Sequence, residues 1–208
     1  GAREALRRWA SERLGDAPAE LVLDNGSGLS RQTRVTAQWL ARLLQQAYAS
    51  AVMPELMSSL PVNGLDGTLR RSRASAGRAH LKTGSLRDVN GVAGYVLSDS
   101  GRRYVLVAIV NHPQAGAARP ALDALVQWAH APRSVPRVMQ RRCRDADGPC
   151  TVMPQHPAYA EIGRLLGQSL KGSGTVRIRP HLVAFGLQRH SERREDVALV
   201  IDEGDRAL

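Results

Sequence analysis

The chain has 208 residues, of which 43% are hydrophobic, 23% charged and only 4% aromatic. This length and composition suit one sizeable domain, or a domain with a small appendage, whose core is built mainly from Leu, Val and Ala. No apolar run approaches the ~20 residues of a membrane-spanning helix, so the sequence predicts no transmembrane segment.

The formal net charge of +10 is carried almost wholly by arginine, since only two of the 29 basic residues are lysines. A basic surface favours an anionic neighbour such as nucleic acid, an envelope polymer or a membrane face. The arginines are scattered along the chain rather than clustered, which favours a GC-rich coding sequence as their origin. A basic nucleic-acid-binding module is therefore kept only as an alternative.

Helical and extended patterns alternate in the first part of the chain. They predict a helix at residues 1–14, a short strand at 21–23, a helix from about 33 to 50, and a short helix at 54–60. A glycine-rich turn at 24–28 separates the strand from the second helix, and Asp24 is expected to hold this turn. Thr33 or Thr36 offers the N-cap of the second helix.

The middle of the chain predicts three strands and a closing helix. The strands are expected at 79–85, 89–97 and 104–110, and the helix at 115–130. The last two strands are joined by Ser-Asp-Ser-Gly, which is good hairpin chemistry. Strands closed by a terminal helix predict an α/β fold with an antiparallel sheet and helices packed on it.

Composition changes after residue 131, so we divide the chain into a domain at 1–131 and a linker and tail at 132–208. The tail contains a charged loop flanked by Cys143 and Cys150. Its patterns predict a helix and two short strands, at 159–170, 176–178 and 197–201.

The segment HLKTGSL at residues 80–86 contains Lys82, one of the two lysines, followed by Thr83 and Gly84. A lysine followed by a small hydroxyl residue and a glycine on a strand is how penicillin-recognising serine acyltransferases hold a substrate carboxylate. Thr83 and Ser85 share one face of the strand, so both hydroxyls can reach the same anion. Gly84 removes a side chain where a substrate must approach the backbone.

Two segments in this order and at this separation, LDNGSGLSR at 23–31 and HLKTGSL at 80–86, resemble the D-alanyl-D-alanine carboxypeptidase/endopeptidases. These are the low-molecular-mass penicillin-binding proteins with inserted domains. VNGLDGTL at 62–69 and the Gly-Tyr-Val at 94–96 are similar too, and the resemblance covers about residues 1–130.

This resemblance implies the C-terminal part of the serine β-lactamase/transpeptidase-like fold and hydrolysis of peptidoglycan peptide stems that end in D-Ala-D-Ala. It also implies binding of β-lactams when the nucleophile is present, no cofactor or metal, and a periplasmic location.

The resemblance also implies roles for single residues. Ser30 would be the proton shuttle between the nucleophile and the leaving nitrogen, and Lys82 would tune it and add positive potential over the substrate carboxylate. Thr83 and Ser85 would bind the carboxylate, and the Ser85 backbone N–H would be one of two oxyanion-hole donors. The family usually has Ser-x-Asn at the shuttle, whereas here Gln32 stands in the Asn position and would supply a similar amide.

The family's nucleophile lies in a Ser-x-x-Lys motif, which this chain lacks. Ala79 stands three residues before Lys82, and Gln168 three before Lys171. Because the chain begins at Gly1, truncation is the expected reason. Two functions follow from these observations. One is a serine-type D-Ala-D-Ala carboxypeptidase/endopeptidase represented without its nucleophile, and the other is a catalytically inactive fragment that binds muropeptides or a partner.

Other polar residues give weaker signals. His80 and His112 flank predicted strands, but no histidine has the spacing of a metal ligand, so solvated or core positions are predicted for them. Arg70, Arg71 and Arg73 are expected in a solvated loop rather than along a cleft.

Overall fold

A computed structural model describes residues 1–14, 21–72, 76–101 and 103–131, together with three two-residue strands near the C-terminal end of the chain. The cysteine-flanked loop, the helix predicted at 159–170 and the strand predicted at 176–178 lie outside the described residues. Of the two strands predicted in the tail, the later one corresponds to a short strand at Val197–Ala198.

The described part of the chain contains α1 (Ala2–Leu14), α2 (Ala37–Tyr48), α3 (Met53–Ser59), β1 (Ala79–Leu86), β2 (Val89–Leu97), β3 (Arg103–Asn111) and α4 (Arg119–His130). The short strands are β4 (Val183–Ala184), β5 (Gly186–Leu187) and β6 (Val197–Ala198). Two 3-10 turns, at Gly67–Leu69 and Ala115–Ala118, precede β1 and α4.

The predicted helices and the three central strands are confirmed within a few residues at each end. Thr36 is the N-cap of α2, because its hydroxyl accepts a hydrogen bond of 3.1 Å from the Trp39 N–H. The predicted hairpin turn between β2 and β3 is closed by the Gly101 N–H, which donates to the Ser98 carbonyl at 2.9 Å. Periodicity and cap chemistry therefore sufficed for these elements.

Three local predictions were wrong. Residues 21–23 are not a strand, because only Val22 finds a partner and forms an isolated bridge with Arg34. The turn that follows is closed by Asn25 rather than Asp24, since the Asn25 carboxamide oxygen accepts from the Ser27 N–H at 3.0 Å. The helix predicted from residue 115 begins as a 3-10 turn. Its α-helical part starts at Arg119, with Pro120 in the first turn, where a missing N–H costs nothing.

The sheet is antiparallel, with the order β1-β2-β3-β5, and carries helices on both faces. On one face, alternate residues of β1, β2 and β3 pack against α4 through Leu81, Val96, Leu106 and Leu125. On the other face, Tyr95, Val105 and Val107 pack against α2 and α3. The predicted antiparallel sheet with packed helices is confirmed, and its interior strands β2 and β3 are covered on both faces.

β1 is the edge strand of this sheet within the described residues. The outer side of its first half is covered, because the Leu81 N–H donates to the Pro61 carbonyl at 2.9 Å and the Asn63 N–H donates to the Ala79 carbonyl at 2.8 Å. Backbone groups alternate in direction along an antiparallel strand. Thr83 and Ser85 lie two and four residues after Leu81. Their N–H and C=O groups therefore also point toward the outer edge.

Tyr95 lies in the core between β2 and α2 and is only 1% exposed. Its hydroxyl donates to the Leu44 carbonyl at 2.7 Å, and its ring lies 5.6 Å from that of Tyr48. Burial raises the pKa of Tyr95 to about 12, Tyr48 adds to the rise and Arg103 opposes it.

We expect the free energy of unfolding to fall between about pH 10 and pH 12 because of Tyr95. The unfolded chain loses the tyrosine proton at the ordinary pKa and the folded chain only at the raised one. The stabilisation is thus complete below the pKa of tyrosine in the unfolded chain. It is lost as pH rises through the raised pKa of the folded chain, by about 2–3 kcal/mol in total. Urea unfolding below, within and above this range measures the decline.

The matched variant is Tyr95→Phe, which keeps the ring and removes the ionisable hydroxyl. This variant should be about 1 kcal/mol less stable at neutral pH, because the hydrogen bond to Leu44 is lost. Its free energy of unfolding should fall less steeply than that of the parent as pH rises above about 10. An equally steep decline in both proteins would contradict the role given to Tyr95.

Candidate active site

Successive residues of the exposed half of β1, from Lys82 to Ser85, face opposite sides of the sheet in turn. Thr83 and Ser85 lie on the face that packs against α4, where both line the same cavity. Lys82 and Gly84 lie on the opposite face, the one covered further along the sheet by α2 and α3. One short stretch of the edge strand thus presents hydroxyls on one face and a cation on the other.

The Lys82 ammonium reaches from its own face to the outer edge of β1. Its Nζ donates to the Thr83 carbonyl at 2.8 Å, and the side chain is exposed to solvent. The Thr83 carbonyl points outward from the sheet, so this contact places the positive charge at the strand edge. The Ser85 N–H points to that edge too, and together they provide a cation and a backbone donor for an anion or a polarised carbonyl.

Gly84 keeps the Lys82 face of β1 open. A Cβ atom built on Gly84 would meet nothing within 4 Å. Its cross-strand partner on β2 is Gly91, so neither strand projects a side chain at this position. A ligand can therefore approach the backbone beside Lys82.

The cavity beside Thr83 and Ser85 has a volume of about 150 Å³ and lies between the sheet and α4. Four buried apolar residues line part of it: Leu69, Val92, Leu122 and Val126. The polar lining residues are Thr68, Thr83, Ser85, Asn90, Arg119 and Asp123. The cavity thus combines an apolar floor with polar groups that can bind a small polar ligand.

Hydrogen bonds connect the polar lining of this cavity to the loop that precedes β1. The Thr68 and Thr83 hydroxyl oxygens lie 2.5 Å apart, and the Arg119 guanidinium donates to the Thr68 carbonyl at 3.0 Å. The Ser72 hydroxyl donates to the Asp123 carboxylate at 2.9 Å.

Arg119 is the arginine that sequence reasoning missed. Arg70 and Arg71 are exposed, as predicted, while Arg73 lies outside the described residues. Arg119 stands in a stretch that reads only as an amphipathic helix, and no local pattern links it to the Lys-Thr-Gly segment 36 residues earlier.

The segment at 23–31 lies beside the far end of β1. Arg31 donates through its guanidinium to the Arg87 carbonyl, at 3.2 Å, in the turn between β1 and β2. The Ser30 hydroxyl accepts the Gln32 backbone N–H at 3.0 Å, and the Gln32 side chain is exposed. No hydrogen bond joins Ser30 to Lys82 in the part of the chain that the structure describes. The fold therefore brings the two segments together at the hairpin turn, whereas the shuttle role of Ser30 stays a prediction.

The histidines near the strands have structural partners. His80 Nδ1 lies 3.1 Å from the Met57 carbonyl, and His112 Nδ1 accepts the Gln114 N–H at 3.0 Å. Among the described residues, no three His, Cys, Asp or Glu side chains are grouped as metal ligands would be. Nor is any helix in this part of the chain long and apolar enough to cross a membrane.

Comparison with known proteins identifies the family. The model of the D-Ala-D-Ala carboxypeptidase 3 (S13) family matches residues 4–131. The chain belongs to this family. The resemblance inferred from the two segments is thereby confirmed, and the matched region includes the three central strands of the antiparallel sheet and the helices α2, α3 and α4 packed on it.

Curated proteins similar to this chain are much longer than the matched region. The chain is 37% identical over 118 residues to the D-alanyl-D-alanine carboxypeptidase of Actinomadura sp. (strain R39), which is 53% of this chain and 22% of that protein. It is 35% identical over 129 residues to the carboxypeptidase DacB of Mycolicibacterium smegmatis, which is 58% of this chain and 27% of that protein. The chain therefore spans about a quarter of the length of these relatives.

A solved structure also matches. The crystal structure of penicillin binding protein 4 (dacB) from Haemophilus influenzae is 30% identical, with a TM-score of 0.35, over 44% of this chain and 21% of that one.

Proposed function

We propose that this chain forms the substrate-carboxylate side of a serine-type D-Ala-D-Ala carboxypeptidase/endopeptidase that acts on peptidoglycan peptides. The observation that carries the proposal is the arrangement at the free edge of β1. There a four-residue stretch of one strand carries the Lys82 ammonium at the outer edge, the Thr83 hydroxyl and the outward Ser85 N–H. Membership in the S13 family supports the same reaction.

In this proposal each group has one task. The Lys82 ammonium supplies positive potential and the Thr83 and Ser85 hydroxyls donate to the terminal carboxylate, while Gly84 leaves room for the peptide. The Ser85 N–H donates to the carbonyl oxygen of the penultimate D-Ala as it gains negative charge. The hydroxyl oxygen of a serine supplied from outside this chain attacks that carbonyl carbon and forms an ester as the peptide C–N bond breaks, and the serine's proton passes to the nitrogen of the departing D-Ala. Water then hydrolyses the ester.

Ser30 is the proposed proton shuttle of this reaction, with Gln32 as the substrate-side amide. Their segment is held beside the hairpin turn by the Arg31–Arg87 bond, and the Ser30 hydroxyl accepts the Gln32 N–H and keeps its own proton to donate. Replacing Ser30 with Ala, in a form of the protein that carries the Ser-x-x-Lys element, distinguishes the shuttle role from a turn hydrogen bond. Loss of a shuttle lowers kcat by about 10²-fold or more, whereas loss of a turn hydrogen bond lowers stability by about 1 kcal/mol and leaves kcat unchanged.

A second function has its own support in the sequence. Since neither Lys82 nor Lys171 is preceded by serine at the third position, the chain as it stands holds no Ser-x-x-Lys nucleophile. A form without that motif would bind muropeptides or a partner through the same carboxylate site without cleaving them. In either case we propose a periplasmic location, where peptidoglycan and β-lactams are met.

We predict that the purified 208-residue chain is not covalently labelled by a fluorescent penicillin, because the acylated serine is absent. The chain extended by the coding sequence upstream of Gly1 should be labelled and should release D-Ala from a pentapeptide. Gel fluorescence and D-Ala release measure the two properties. A labelled band from the 208-residue chain would overturn the mechanism. An extended protein that is neither labelled nor active would rule out hydrolysis, and binding of muropeptides or a partner would be the function.

A further inference from the structure

The Thr68–Thr83 contact suggests how the Thr83 hydroxyl is prepared to bind an anion. Thr68 belongs to the 3-10 turn Gly67–Leu69, 15 residues before Thr83, and the two hydroxyl oxygens lie 2.5 Å apart beside the cavity. A hydroxyl has one proton to donate and two lone pairs to accept with. Within this pair, therefore, one threonine donates its proton to the other, and the accepting threonine still has its own proton to donate elsewhere.

The direction of this hydrogen bond decides what Thr83 can bind. If Thr83 donates to Thr68, only lone pairs remain on Thr83, and these repel a carboxylate. If Thr68 donates to Thr83, the Thr83 proton is free to donate to the carboxylate, and the donation it accepts from Thr68 polarises that proton further. Only the second arrangement makes Thr83 an anion-binding group.

The surrounding residues hold Thr68 in position for this donation. Arg119, in the first turn of α4, donates a hydrogen bond of 3.0 Å from its guanidinium to the Thr68 carbonyl. The adjacent Leu69 is buried, and its carbonyl accepts from the Gly64 and Ser72 N–H groups at 3.1 and 2.9 Å. The turn is thus anchored at the Thr68 carbonyl and at the adjacent Leu69. Asp123, the acidic residue of the cavity lining, is engaged by Ser72.

We propose that Thr68, held by Arg119, is a positioning residue that donates to the Thr83 hydroxyl and so directs the Thr83 proton toward the substrate carboxylate. This inference rests on the proposed function, because it assumes a peptide with a free C-terminal carboxylate at Thr83. It predicts that Thr68 affects carboxylate binding only through Thr83. Arg119 acts one step further away, through the Thr68 carbonyl.

The test measures binding by the 208-residue chain, and so it does not depend on catalysis. The probes are N-acetyl-D-Ala-D-Ala and the same dipeptide with a C-terminal carboxamide, titrated while the amide signals of Thr83 and Ser85 are followed by NMR. The carboxylate is expected to bind more tightly than the carboxamide. Thr68→Val should weaken carboxylate binding by up to about tenfold, the effect of losing one hydrogen bond between two neutral hydroxyls and the polarisation that it gives to Thr83. It should weaken carboxamide binding less, because the neutral amide oxygen is a weaker acceptor than a carboxylate oxygen.

Two further variants make the result specific. Thr68→Ser keeps the hydroxyl and should bind the carboxylate within about twofold of the parent, which also covers the case in which Thr68→Val fails to fold. In the background of Thr83→Val, the Thr68→Val change should have no further effect on carboxylate binding. Equal weakening of both probes, additive effects of the two threonine changes, or no effect of Thr68→Val would each overturn the inference.

The outcomes also separate this inference from the proposed function. A parent chain that binds the carboxylate, with no effect of Thr68, refutes the positioning role and leaves the proposed reaction standing. A parent chain that does not distinguish the two probes refutes carboxylate donation by Thr83, and the inference fails with it. The proposed reaction is decided separately by penicillin labelling and D-Ala release.

Discussion

Replacing Gly94 with alanine is expected to destabilise the protein by about 3–5 kcal/mol, a large share of the 5–15 kcal/mol by which typical domains are stable. Gly94 lies in the middle of β2 with a φ of +148°, a backbone conformation that side chains disfavour. A Cβ atom at this position would lie 2.1 Å from the His80 carbonyl oxygen and 3.0 Å from the Leu81 Cα.

The obstacle at Gly94 is backbone, so no side chain can rotate away to relieve it. β1 and β2 would have to separate at the pair Leu81–Gly94, next to the buried Leu81 side chain. This pair also precedes Lys82, and a shift of β1 would therefore disturb the site as well as the core. Urea unfolding followed by circular dichroism measures the loss.

Gly84→Ala is the matched control, since Gly84 also lies within a strand but has open space around its missing Cβ. We expect its free energy of unfolding to stay within about 1 kcal/mol of the parent. Binding of D-Ala-D-Ala peptides should nevertheless weaken, because the added methyl occupies the face beside Lys82. Similar stabilities for the Gly94 and Gly84 variants would contradict the assigned crowding at Gly94.

The elements of this fold were predictable where local chemistry specifies them. Two elements are specified within about ten residues of chain: α2, by its apolar periodicity and the Thr36 cap, and β2, by its valine-rich apolar run and the Ser-Asp-Ser-Gly turn that follows. Residues 21–23 have the composition of a strand, yet only Val22 pairs, with Arg34, because a strand also needs a partner that local sequence does not reveal.

The site was predictable only in part, for the same physical reason. The spacing of Thr83 and Ser85 places both on one face, and this follows from strand geometry alone. The contribution of α4 cannot be derived from local geometry. Arg119 contacts Thr68, 51 residues away in the chain, through a single hydrogen bond to its backbone carbonyl. Arg31 likewise reaches Arg87 across 56 residues, a contact that requires the folded hairpin.

Lys82→Ala is expected to lower kcat/KM for D-Ala release by about 10²–10³-fold in a form of the protein that carries the Ser-x-x-Lys element, comparable to the loss of one preorganised electrostatic donor. Lys82 is the cation at the free edge of β1, and its exposed ammonium bonds only to the Thr83 carbonyl in the described structure. Its removal should therefore change the free energy of unfolding by less than about 0.5 kcal/mol.

The low lysine content supplies a matched control for this variant. Lys171→Ala makes the same chemical change at the other lysine of the chain and should retain full activity. Lys82→Arg keeps the charge but replaces a compact ammonium by a planar guanidinium, so activity should recover only in part. If Lys82→Ala kept more than about a tenth of the parent kcat/KM, the cation would contribute less than about 1.4 kcal/mol to the transition state. Carboxylate binding would then have to rest on the Thr83 and Ser85 hydroxyls, with Lys82 dispensable.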